Sequence, residues 1–112
     1  MKKENKIQAS LIKGINKLPG CKAIAIIVSG GMEVGTPDVF ACIQGKMYVI
    51  ETKRTEKDIP TPIQFRRINE WLDAHARPVV LRGQQQVDEF LARLTAEVHV
   101  KQRDDNTEIT GS

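Results

Sequence analysis

The chain has 112 residues, enough for one packed domain, and its 40% hydrophobic and 28% charged content is that of an ordinary globular protein. A net charge of +3, from 17 basic against 14 acidic residues, is compatible with a polyanionic partner without singling one out. No run approaches membrane-spanning length, and the opening "MKKENKIQ" has charges but no apolar h-region. Cys21 and Cys42 show no C-x-x-C spacing and no nearby histidine pair, so a reducing, cytoplasmic setting in a phage or bacterial context is expected, with Cys42 a small core residue.

In chain order, "NKIQASLIKGINKL" sets Ile7, Leu11, Ile15 and Leu18 on one face of a first helix, which Pro19-Gly20 stops. "KAIAIIVS", residues 22–29, is apolar and β-branched and predicts a buried strand ended by Gly30-Gly31; "MEVGTP" is a loop. Two short strands, "DVFACI" and "MYVIETK", follow, joined by Gln44-Gly45-Lys46 in a hairpin whose glycine can take the positive φ such turns need. After a charged loop, Thr61-Pro62-Ile63-Gln64 opens a second helix with a hydroxyl cap, a proline at the first position and a glutamine three after the cap. That helix runs to about residue 75, with Phe65, Ile68 and Leu72 inward. "PVVL" is a further strand, and Val87, Phe90, Leu91 and Leu94 mark a third helix. The predicted order is α-β-β-β-α-β-α, an α/β fold with a mixed sheet flanked by helices, over residues 1–100; residues 101–112 read as a polar, disordered tail.

Chemistry gathers in the middle. Glu51 and Lys53 are two apart, so both leave the same face of their strand. A hairpin turning about Gln44-Gly45 puts Asp38 directly opposite Glu51, and a slip of one or two residues still leaves it beside Glu51 or Lys53. Two carboxylates so close repel unless something positive lies between them, and oxygen ligands at that charge density suit Mg²⁺ or Mn²⁺. A lysine on the same face can orient a water, completing a set suited to attack on a phosphodiester. The competing reading is structural: Asp38 begins a strand or caps a turn, and Glu51-Thr52-Lys53-Arg54 is a charged edge that discourages aggregation.

On Gly35-Thr36-Pro37-Asp38, Glu51-Thr52-Lys53 and the "TPIQFRR" helix start, the chain resembles the virus-type replication-repair (VRR-Nuc) nuclease domain of the PD-(D/E)xK superfamily, over roughly residues 4–94. The resemblance implies a minimal restriction-endonuclease-like core and metal-dependent hydrolysis of DNA in replication, repair or recombination. It implies Asp38, Glu51 and the Thr52 backbone carbonyl as ligands to Mg²⁺ (or Mn²⁺), and Lys53 as the residue that positions or activates water. Glu4 matches an acid of the N-terminal helix, with Glu33 as substitute, and Gln64 matches a glutamine near the metal waters or the DNA. Gln64 is equally explained by a T-x-x-Q capping box with Thr61. The resemblance further implies a homodimer acting on branched DNA, as Holliday-junction resolvases do.

Arg54, Lys57, Arg66 and Arg67 cluster near this centre and could meet DNA phosphates without reading sequence. Trp71 reads as core or interface, and His75 and His99 have no partners at ligand spacing. Two other classes stay open: a non-catalytic DNA-binding module on the same fold, and a structural domain unrelated to DNA.

Overall fold

A computed structural model describes the backbone of residues 3–111 and the side chains of residues 6–101. The elements follow the predicted order: α1 (Lys3–Asn16), β1 (Cys21–Ala25), β2 (Val39–Ile43), β3 (Lys46–Lys53), α2 (Pro62–Asp73), β4 (Arg77–Arg82) and α3 (Gln84–Gly111). The four strands form one mixed sheet in the order β1-β2-β3-β4, antiparallel except for β3–β4, which are parallel and joined through α2.

The β2–β3 hairpin sets the register. Gln44 and Gly45 both have positive φ (53° and 81°), as a two-residue turn of type I′ requires. Gln44 tolerates this because its amide N–H donates to the Gly20 carbonyl at 2.9 Å and its side chain to that of Pro19. Ile43 then pairs with Lys46 and Val39 with Ile50, so Asp38 and Glu51 come next in sequence.

Alternation along the strands divides the sheet into two faces. One carries Ala23, Val39, Ala41, Ile43, Tyr48, Ile50 and Leu81, which pack with Ile7, Leu11 and Ile15 of α1 and Val87, Phe90 and Leu94 of α3. That is the core. The predicted α1 stripe and the apolar positions of α3 are both in it. The other face receives α2, which packs on β4 and sets Trp71 edge-on to Phe40, with ring centroids 5.1 Å apart.

Three expectations are corrected. β1 is an edge strand that ends at Ala25, and of its residues only Ala23 is buried; Ile24, Ile27 and Val28 are exposed. The Asn16 side chain caps that free edge, accepting from the Ala23 N–H at 2.7 Å and donating to its carbonyl at 3.2 Å, so the strand needs no fifth neighbour. Cys42 is exposed rather than core, because it shares the α2-side face with Phe40 on a strand that α2 only partly covers. On α2, Phe65 and Leu72 are 46% and 55% exposed, and the inward side is Gln64, Ile68 and Trp71. Two anchors fix this rotation, Gln64 on β3 and Trp71 on Phe40. The last helix, α3, extends to Gly111, with no proline or glycine before that residue.

Candidate active site

The loop between β1 and β2 delivers Asp38. Gly35 lies at φ 87°, and a Cβ there would come within 2.9 Å of the Ile63 carbonyl oxygen, so glycine is required where the loop crosses the start of α2. The Thr36 hydroxyl closes a turn on the Glu33 carbonyl at 2.7 Å, and Pro37 is fully buried. The Ile26 N–H then donates to the Asp38 carbonyl at 2.8 Å, extending the β1–β2 ladder by one step and fixing the backbone of Asp38.

The Asp38 carboxylate lies against the edge of β3. It accepts from the Thr52 N–H at 2.9 Å, from the Thr52 hydroxyl at 2.5 Å and from the Gln8 side chain at 3.2 Å. In a strand a residue's N–H and C=O point to the same edge, and successive residues alternate. The Thr52 N–H faces Asp38, while the Lys53 carbonyl accepts from Gly83 on the β4 side at 2.9 Å. The Thr52 carbonyl therefore emerges on Asp38's edge.

Glu51 is 3% exposed, a carboxylate deep enough to need partners. The Gln64 amide donates to its Oε2 at 3.3 Å, and Lys53 Nζ lies 3.8 Å from the same oxygen. Lys53 Nζ also donates to Gln64 Oε1 at 2.9 Å. That Oε1 accepts the Thr61 N–H at 2.9 Å as well, while the Thr61 hydroxyl accepts the Gln64 N–H at 3.3 Å. One Gln64 side chain thus closes the capping box of α2 and ties Lys53 to Glu51.

Among the described residues, no group of three His, Cys, Asp or Glu side chains gathers as a metal site. Asp38 and Glu51 are two hard carboxylates on neighbouring strands, with a backbone carbonyl on the edge beside them, a donor set whose chemistry fits Mg²⁺ or Mn²⁺. The side chain of Glu4 lies outside the described residues. Glu33, its alternative, faces Arg67 at 3.7 Å.

The basic residues divide. Arg54, Lys57 and Arg66 are exposed, Arg54 beside Asp58 at 3.6 Å and Arg66 beside Glu70 at 4.0 Å. Arg67 is taken up internally, by Glu70 at 2.8 Å and by the Val34 carbonyl at 3.1 Å. The hydrogen bond to Glu70 raises its pKa above the usual guanidinium value, with the charges of Glu33 and Glu70 adding to it and desolvation opposing. Arg67 therefore stays charged and pins the 26–38 loop to α2.

The family described as archaeal Holliday junction resolvase (hjc) matches residues 4–103. The chain belongs to that family. It is a family of PD-(D/E)xK nucleases. Two solved structures share the resolvase-family fold seen here. One, described as "VRR_NUC domain", is 24% identical with a TM-score of 0.71, covering 82% of this chain and 97% of the other. A second, described as "VRR_NUC domain protein", is 17% identical with a TM-score of 0.63, covering 84% and 88%. No curated protein matches the chain.

Gln8 is the contact that sequence reasoning missed. Its one signal is position: it stands one helical turn after Glu4 on α1, away from the Ile7–Leu11–Ile15 stripe.

Proposed function

We propose that this chain is a Mg²⁺-dependent endonuclease that hydrolyses phosphodiesters in branched DNA during replication, repair or recombination, with Mn²⁺ able to substitute. The observation that carries it is the convergence of Asp38, Glu51, Lys53 and Gln64 from three elements onto the end of one hairpin. Asp38, Glu51 and the Thr52 carbonyl would hold the cation, with Glu4 as a further ligand. When bound, the ion neutralises charge on the phosphate and makes a coordinated water more acidic. The new bond runs from the water oxygen to phosphorus, and the bond from phosphorus to the leaving oxygen breaks.

Lys53 brings three ammonium donors, of which one goes to Gln64, so its position is fixed while it can still orient the attacking water. Gln64 positions Lys53 and Glu51 relative to each other. Arg54, Lys57 and Arg66 contact flanking phosphates without reading bases. Arg67, read from sequence as a DNA contact, also holds the loop that presents Asp38.

The family's description supports a four-way junction as substrate. A homodimer would carry two such sites and allow paired cuts. Its support on this chain is apolar surface left open on the α2-side face, where Ile24 and Met47 are exposed beside Cys42, and on α2 at Phe65 and Leu72.

The test compares native protein with Lys53→Ala on four-way-junction, flapped and linear DNA, with Mg²⁺, Mn²⁺ or EDTA. Native protein should cut the junction only with metal, and Lys53→Ala should lose orders of magnitude in cleavage while keeping DNA binding. Chelation-resistant binding with no cleavage under any condition would make the chain a non-catalytic module. Equal cleavage by Lys53→Ala would assign the water to another group.

A further inference from the structure

Beyond Lys53, at the same end of the sheet, lies a cleft whose lining shares only Arg54 with the proposed site. It has a volume of about 550 Å³ and is bordered by the start of α1, the loop after β3 and the β4–α3 junction. Three basic residues line it: Lys6 of α1, Arg54 of the loop and Arg82 at the end of β4. Arg82 pairs with Lys53 in the parallel β3–β4 register, so the cleft begins one strand away from the proposed water-positioning lysine. Lys6 stands two residues before Gln8, which holds Asp38. The cleft and the site are thus joined through both α1 and β3.

Arg82 is the unusual member. It is half-buried, yet its guanidinium has no hydrogen bond or ion pair among the described residues; only its backbone N–H is used, donating to Gln86 Oε1 at 2.8 Å. A partly desolvated guanidinium without an acid is costly unless a ligand supplies the anion. Two acids also border the cleft, Glu56 and Glu89, and Gln85 donates to Glu89 at 3.1 Å. Arg54 is already held by Asp58 at 3.6 Å, which leaves Lys6 and Arg82 as the cations that a phosphodiester would meet there. The first turn of α3 adds backbone N–H groups and the positive end of its dipole.

We propose that this cleft is a second DNA-backbone site, in which Lys6 and Arg82 hold a phosphodiester outside the one being cut. It rests on the reading of the chain as a DNA-acting nuclease. Its role is to fix the direction in which a second stretch of DNA leaves the active site, which matters for a branched substrate and little for a short linear one.

Binding is measured in EDTA, so that no cleavage is needed, on a four-way junction and on linear duplex, from about 50 to about 200 mM KCl. Lys6→Gln, Arg82→Gln and the double variant are compared with native protein. Each single variant should weaken junction binding and lower the slope of log affinity against log salt by about one, and the double variant by about two. The loss on linear duplex should be smaller. Arg82→Lys should retain most of the slope. If Arg82→Gln does not fold, Lys6→Gln on the exposed face of α1 decides alone. Junction affinity and slope unchanged in Lys6→Gln, or equal losses on both DNAs, would overturn the proposal. Native protein that binds with these slopes but never cuts with Mg²⁺ would refute the nuclease reading and leave the cleft standing.

Discussion

The two faces of the sheet obey different rules, although the same strands build both. On the α1/α3 face, β3 presents Tyr48, Ile50 and Thr52, all buried and packed by two helices. On the α2 face the intervening residues are Met47, Val49, Glu51 and Lys53, and α2 closes only part of the surface. Because side chains alternate, one strand can devote every second position to holding the fold and the others to chemistry. The closed face contributes the stability that lets a buried carboxylate and its lysine persist on the open one. Mutations on either side of a single peptide bond should therefore separate stability from activity.

The largest separation is expected at Glu51. Glu51→Gln keeps the volume and the contact with Gln64 while removing the charge. On the proposed reading, cleavage of junction DNA in Mg²⁺ should fall by orders of magnitude, while the thermal midpoint holds or rises, because a buried charge is a cost to folding. Activity within a few-fold of native would break the comparison outright.

Its neighbour Ile50, fully buried in the core, should behave in the opposite way. Ile50→Ala deletes packed methyl groups and should cost about 2–5 kcal/mol in urea unfolding. Cleavage per folded molecule, measured at low temperature, should stay near native. A large loss of activity without loss of stability would mean that the two faces are coupled through β3.

A smaller effect is expected at Phe65 and Leu72, and these residues show where the sequence was legible. The hairpin could be read because two turn residues fix the register, which sets Asp38 and Glu51 at adjoining positions where the paired strands end. The core stripe of α1 could be read because nothing polar competes for that face. On α2 the apolar residues Phe65, Ile68 and Leu72 form a stripe as regular as a core stripe, yet two polar-and-aromatic anchors, Gln64 and Trp71, rotate it by about 65° so that only Ile68 stays inward. Helical periodicity counts apolar residues and is blind to a glutamine that binds a buried acid. The same blindness hid Gln8, whose partner Asp38 lies 30 positions away. β1 misled for another reason: a continuous apolar run does not say whether a strand is central or at an edge. Phe65→Ser and Leu72→Ser should each change monomer stability by less than about 1 kcal/mol, since surface substitutions rarely do more. A loss of about 3–5 kcal/mol, typical of a buried aromatic, would restore the inward reading of that stripe.

The smallest expected effect lies at the far end of the same helix, and its sign is the test. α2 ends at Asp73, and His75 then adopts φ 69° with its N–H bonded to the Leu72 carbonyl at 2.9 Å. The left-handed region is where a helix C-terminus most often places glycine, because a side chain there crowds the following carbonyl. His75 is exposed, so removing its imidazole gives up little packing. His75→Gly relieves the backbone but also frees the unfolded chain, and these contributions oppose each other. Relief should prevail by about 0.5 kcal/mol, raising the thermal midpoint by a few degrees without changing cleavage. A fall in the midpoint would mean that the imidazole itself stabilises the turn into β4. A change in cleavage would mean that the rotation of α2, set at Gln64 beside the active site, is also governed from its other end.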